Sequence, residues 1–147
     1  MKILVDTNVL IDYLVGREPY FETADKIIQI CCDKIVTGFM AAHSVPNLFF
    51  ILRKDYDHQT RRIMIKSLFD ILEVSGIGKN VLLTALERVN FKDFEDCLQD
   101  ECAIAVNADY IVTRNINDFA NSKIKAITPQ EFLEIYKKTK GSGVSGE

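Results

Sequence analysis

At 147 residues the chain has room for one domain with a substantial core, and 48% hydrophobic against 27% charged residues is the balance of a globular protein. No apolar run approaches the roughly 18 residues that cross a bilayer, which argues against a membrane protein. A net charge of −3 excludes broad, sequence-blind adhesion to nucleic acid, whose affinity comes largely from Lys and Arg neutralising phosphates, and suits a pocket that gathers divalent cations.

The chain opens with Met1-Lys2-Ile3-Leu4-Val5-Asp6-Thr7-Asn8. Ile3, Leu4 and Val5 are a short apolar run of the kind that makes a strand buried on both faces, and a helical pattern follows through Val9, Leu10, Tyr13 and Leu14. Asp6 therefore stands at the carboxyl end of a strand, the edge where open α/β sheets bind ligands. Thr7 or Asn8 suffices to cap the helix, which leaves Asp6 over for another role. One lysine and then a strand, in place of a long apolar segment, makes the cytosol the expected location.

Gly16-Arg17-Glu18-Pro19 is a turn, and Tyr20 to about Asp33 reads as a helix with Phe21, Ala24, Ile27, Ile28 and Cys31 on one stripe. Lys34 to Phe39 is the second strand. A helix follows from about Ala42 to Lys54, with Pro46 in its first turn, and another from His58 to about Phe69. Ile71–Val74, Tyr110–Thr113 and Lys125–Ile127 complete the strands; helices fill Lys79 to about Val89, Phe94 to Asn107 and Pro129 to about Lys138. Residues 1–139 form one domain, and the Gly- and Ser-rich end, 140–147, reads as a flexible tail. This alternation predicts a parallel sheet covered by helices on both faces, with right-handed crossovers placing the strands' carboxyl ends along one edge. Cys31, Cys32, Cys97 and Cys102 form no CxxC pair and read as reduced, mostly buried thiols.

Two further polar stretches arrive near that edge. In Asp93-Phe94-Glu95-Asp96-Cys97-Leu98-Gln99-Asp100, Asp93 is placed to cap the helix, Asp96 falls in its first turn, and Asp100 lies one turn on along the same face. In Thr113-Arg114-Asn115-Ile116-Asn117-Asp118-Phe119 the strand Tyr110–Val112 gives way to a hydroxyl, a guanidinium and an amide, and Asp118 follows in the loop. Asp6, Asp96 and Asp118 come from separate segments that the topology brings to one edge. Clustered carboxylates repel unless a cation sits among them, and oxygen-only ligation suits Mg²⁺ or Mn²⁺, which can activate water and stabilise charge on a phosphoryl group.

Val-Asp6-Thr-Asn-Val-Leu, Asp93-Phe-Glu-Asp96-Cys-Leu-Gln, Thr113-Arg-Asn-Ile-Asn-Asp118-Phe and the closing Ile127-Thr-Pro-Gln-Glu-Phe-Leu together resemble the PIN-domain ribonuclease family, over Met1 to about Lys138. The resemblance implies a Rossmann-like three-layer α/β/α sandwich with a central, mainly parallel sheet of about five strands. It implies a metal-dependent phosphodiesterase acting on RNA, with Asp6, Asp96 and Asp118 ligating Mg²⁺ or Mn²⁺ and Thr113 and Asn115 orienting a ligand or a metal-bound water. Many small relatives are toxins held inactive by an antitoxin protein. The sequence departs from the family once. A Glu usual at the start of the helix after the second strand aligns best with Asn47, which keeps an oxygen ligand but loses a full charge; Asp93 or Asp100 is then the candidate to compensate.

The leading expectation is an Mg²⁺- or Mn²⁺-dependent endoribonuclease, with Asp6, Asp96, Asp118 and Asn47 at the site and Thr7, Asn8, Asp93, Asp100, Thr113, Arg114 and Asn115 supporting it. Arg114, or a rim of Arg53, Lys54, Arg61, Arg62 and Lys66, would steady the phosphate. The alternative, which Asn47 favours, is a weakened domain that binds RNA or a protein partner without cleavage. A nucleotide-cofactor domain ranks last, since the chain has no GxGxxG or GxxxxGK[ST] loop. The apolar residues of the second and third helices, with Phe49, Phe50 and Tyr56, read mostly as core, with a homodimer surface among them as the alternative.

Overall fold

The computed structural model describes residues 1–145, with side chains described through residue 140. Alternation along the first strand, β1 (Lys2–Val5), sets the layers: Ile3 and Val5 face one core and Leu4 the other, all without solvent exposure. The remaining strands are β2 (Thr37–Ala41), β3 (Glu73–Ser75), β4 (Tyr110–Val112) and β5 (Ala126–Ile127). They form one sheet in the order β3-β2-β1-β4-β5, every pairing parallel, with Leu4 in register with Phe39 on one side and Ile111 on the other. Successive strands run outward from β1 to β3, and the chain then crosses back to β4 on the far side of β1. The edge between β1 and β4 is thus the switch point, where two neighbouring strands send their loops in opposite directions and leave a crevice.

Helices α1 (Thr7–Val15), α2 (Phe21–Cys32), α3 (Ser44–Ile51), α4 (His58–Leu68) and α7 (Pro129–Ser145) accompany the larger core, built from Val9, Leu10, Ile27, Met40, Leu48, Leu68 and Phe132 among others. On the opposite face α6 (Phe94–Ala105) packs Cys102 and Ala103 against Leu4 and Ile111, and α5 (Lys79–Glu87) covers α6 through Ala85, Cys97 and Leu98. The result is the expected three-layer α/β/α sandwich with a parallel five-stranded sheet.

Element boundaries differ from expectation where the backbone turns sharply. Strand β2 begins at Thr37, not Lys34, because Lys34 takes a left-handed conformation (φ 61°) and its N–H closes on the Cys31 carbonyl at the end of α2. Strand β3 begins at Glu73 because the N–H groups of Ile71 and Leu72 are still bonded to the Leu68 carbonyl. Asn107 (φ 57°) ends α6 in the same way as Lys34. At Gly38 in β2, a Cβ would lie 2.5 Å from Cys31 Sγ, so only glycine lets α2 approach the sheet here. The thiols of Cys31, Cys97 and Cys102 are buried and that of Cys32 is exposed; all four are free. The expected tail at 140–147 falls mainly on side chains outside the described residues, while the backbone of α7 is helical to Ser145. Among the described residues no helix is long and apolar enough to cross a membrane.

Candidate active site

Asp6 ends β1, its N–H bonded to the Val112 carbonyl of β4 (3.0 Å), and it caps α1 itself: Oδ1 accepts from the Thr7 N–H at 2.8 Å. The cap thus falls to Asp6, and Thr7 and Asn8 are freed for other contacts. Asp6 Oδ2 accepts from Thr113 Oγ1 at 2.8 Å and from Asn8 Nδ2 at 3.0 Å. Thr113, fully buried, also accepts from the Asn115 N–H at 3.1 Å. The Asn8 Oδ1 accepts from the Arg114 N–H at 3.3 Å, so the loops after β1 and β4 are laced together around one carboxylate. Burial pushes the Asp6 carboxyl above its ordinary range, against the lowering effect of the bonds from Thr113 and Thr7, and the charge on Asp118 adds to the rise.

Asp6, Asp96 and Asp118 line one cavity of about 480 Å³ at this edge, which also takes in Asn47, Asn115 and Glu95. Asp93 caps α6 as expected, accepting from the N–H groups of Glu95 (2.8 Å) and Asp96 (3.2 Å) through Oδ1. Asp118 follows in a 3-10 turn, Ile116–Phe119, and is exposed. The Asp96 carboxyl is pushed up to about 7, first by burial and then by the negative charges of Asp93, Asp6, Asp118 and Glu95. A carboxyl raised mainly by burial and by four other acids marks a site short of positive charge.

The wall opposite is made by α3 and α6. Asn47 Nδ2 donates to Glu95 Oε2 at 3.1 Å, and His43 Nε2 donates to the Glu95 carbonyl at 3.1 Å. Burial lowers the His43 pKa, which keeps the ring neutral. Gln99, only 2% exposed, donates to Thr7 Oγ1 (3.2 Å) and Ser44 Oγ (3.0 Å), while its amide oxygen is buried without a partner among the described residues; His43 Nδ1 is in the same position. His43, Glu95 and Gln99 are not legible as site residues from sequence, because they meet only through contacts between the start of α3 and α6.

Two expected supporting residues stand elsewhere. Asp100 is fully buried in an ion pair with Arg88 (2.7 Å) and accepts from the N–H groups of Lys123 (2.9 Å) and Ile124 (3.1 Å), so it holds the loop before β5 and does not line the cavity. Its spacing from Asp96 is right for a shared face, but the guanidinium of Arg88, just after α5, claims it. Arg114 is tied to buried Asp12 at 2.6 Å and lies over the Tyr20 ring, outside the cavity lining. The cation that does line the cavity is Arg17, 46% exposed and only loosely paired with Asp12 at 3.8 Å. The expected basic rim divides: Arg53 stacks on Phe50, which lines the cavity, whereas Arg62 and Lys66 edge a separate apolar groove with Val45, Phe49, Ile65 and Phe69.

A divalent cation suits this donor set. Among the described residues no group of three or more His, Cys, Asp or Glu side chains is already arranged to hold a metal ion. The carboxylates that line the cavity suit a hard cation that takes one or two of them directly and keeps several waters.

Fold and cavity together define a parallel α/β protein with an acidic site at its switch point. A family model described as the PIN domain matches residues 2–117, and the chain belongs to the PIN-domain family. Similar solved structures include VapBC2 from Rickettsia felis bound to a DNA fragment from their promoter, 19% identical with a TM-score of 0.65, covering 87% of this chain and 98% of that one. A toxin–antitoxin complex from Klebsiella pneumoniae is 20% identical with a TM-score of 0.64, covering 86% and 97%. VapC20 from Mycobacterium tuberculosis, described as a sarcin–ricin loop cleaving toxin, is 13% identical with a TM-score of 0.60, covering 74% and 86%. At these identities the likeness is one of fold. No curated protein matches the chain.

Proposed function

We propose that this chain is a divalent-metal-dependent endoribonuclease, using Mg²⁺ or Mn²⁺, and the toxin of a toxin–antitoxin pair. The observation that carries the reading is the meeting of Asp6, Asp96 and Asp118 in one cavity at the β1/β4 switch point, with Asp96 pushed up to about 7 by burial and like charges. Asp6 and Asp96 would hold the ion, with Asp118 completing the shell directly or through water. When bound, the ion supplies Lewis acidity toward a phosphoryl oxygen and makes water a nucleophile near neutral pH. The chain's own part is positioning. Thr113 and Asn8 fix the Asp6 carboxylate, Asn115 presents an amide at the rim, and Arg17 offers a guanidinium to the substrate phosphate.

RNA as the substrate class is supported by family membership and by the likeness to a toxin described as cleaving the sarcin–ricin loop. An antitoxin protein as partner is supported by the likeness to toxin–antitoxin complexes. The groove edged by Arg62 and Lys66 suits a partner segment with apolar side chains flanked by acids. The test is cleavage of a structured RNA with Mn²⁺ or Mg²⁺: the chain cuts, while Asp6→Asn and Asp96→Asn do not and remain folded. Full activity in either variant contradicts the assignment.

A second reading, favoured by the amide at Asn47, is a domain that binds RNA or a protein without cutting it. Saturable RNA binding that is indifferent to Mn²⁺, with no product at any metal concentration, distinguishes it.

A further inference from the structure

The acid that α3 lacks is supplied, we propose, by Glu95 from α6: Glu95 is the fourth carboxylate of the cation site, and Asn47 and His43 are the positioning residues that hold it there. This rests on the metal-dependent reading above.

Three contacts restrain Glu95, far more than a solvated first-turn glutamate receives. Its N–H is bonded by the Asp93 carboxylate at 2.8 Å, its carbonyl by His43 Nε2 at 3.1 Å, and its side chain by Asn47 Nδ2 at 3.1 Å. His43 and Asn47 are one helical turn apart, with the Asn47 N–H bonded to the His43 carbonyl, so the two side chains project from one face of α3 onto the same residue. A carbonyl only accepts, so His43 must carry its proton on Nε2.

The pairing also explains why residue 47 is an amide. A carboxylate there would face the Glu95 carboxylate across a hydrogen-bond distance and repel it, whereas Asn47 donates to it. The acid has changed helices and the cavity keeps its charge, since Glu95 lines the same space as Asp6, Asp96 and Asp118. An independent feature points to a ligand at this spot. Gln99, one turn beyond Glu95 on α6 and 2% exposed, is among the residues that line that cavity, and its buried amide oxygen has no partner among the described residues.

The test is Mn²⁺ affinity of the full chain, measured by titration calorimetry and by the loss of free-ion EPR signal. Glu95 is exposed, so Glu95→Gln folds, as an unchanged melting temperature in chelator would verify. Glu95→Gln is expected to weaken Mn²⁺ binding by about tenfold or more. Asn47→Ala is expected to weaken it by a smaller factor, and the double variant binds no more weakly than Glu95→Gln alone, because Asn47 acts only through Glu95. Wild-type affinity in Glu95→Gln, with binding lost in Asp6→Asn, overturns the inference and leaves the nuclease reading standing. Additive losses in the double variant overturn the positioning role of Asn47. Wild-type affinity in Asp6→Asn overturns the cation site and the place of Glu95 in it together.

Discussion

Replacing Asp96 with Asn is expected to stabilise the protein in the absence of metal, although it removes a residue of the proposed site. The folded-state carboxyl sits at about 7 and the ordinary value is 3.8, so ionisation is harder in the folded chain than in the unfolded one. Below pH ~3 both states carry the proton and the acid costs nothing; as pH rises toward 7 the unfolded chain sheds its proton first and stability falls. At 1.36 kcal/mol per tenfold change in proton affinity the full deficit is roughly 4 kcal/mol, and solvent screening at this half-buried group leaves about 2 kcal/mol. In a domain of this size that is about 4–8 °C in Tm. Differential scanning calorimetry in EDTA should therefore find Asp96→Asn melting higher than wild type at pH 8, with the difference nearly gone by pH 4 and absent at pH 3. Added Mn²⁺ should close the gap at pH 8 by raising the wild type more than the variant. A variant that melts below wild type at pH 8, or a difference that does not change with pH, refutes the electrostatic account of the cavity.

Arg88→Met leaves Asp100 and Glu101 charged and unpaired beneath α5, and should cost about 3 kcal/mol in urea unfolding while Mn²⁺ affinity in the surviving folded fraction is unchanged. Thr113→Val removes a fully buried hydroxyl from Asp6 Oδ2, with an expected loss of about 2 kcal/mol. Because that bond lowers the Asp6 pKa, Mn²⁺ binding by this variant should weaken more at pH 6 than at pH 8, as calorimetry at the two pH values would register. Arg17→Gln should weaken RNA binding and flatten its salt dependence, followed by fluorescence anisotropy, without altering Mn²⁺ affinity.

Much of the sheet was readable because β1, β4 and β5 are short apolar runs bounded by polar corners, and Asp6 stands where β1 stops. Placing Asp96 and Asp118 at the same edge needed only the parallel topology, which sequence alternation implies. Local spacing was enough for the cap at Asp93, since both of its partners lie within three residues. It was not enough for Asp100 or Arg114, whose roles are set by Arg88 and Asp12, residues 12 and 102 positions away in the chain. The same limit hid Glu95: nothing around it in the sequence distinguishes a solvated glutamate from one held by Asn47 and His43, about fifty positions away. Arg17 lay in a turn with no local mark of its place at the cavity mouth. The offset of β2 has a different origin, because apolar pattern alone does not tell that Lys34 turns left-handed before the strand begins.

The account depends on a hard cation reconciling carboxylates that the fold forces together. Crystals grown with Mn²⁺ and measured at a wavelength where manganese scatters anomalously test this directly. A peak within ligand distance of Asp6 or Asp96, with Asp118 in the same coordination sphere or one water away, is the predicted result. A map with no peak in the cavity at saturating Mn²⁺, from protein whose melting temperature Mn²⁺ also fails to raise, would contradict it.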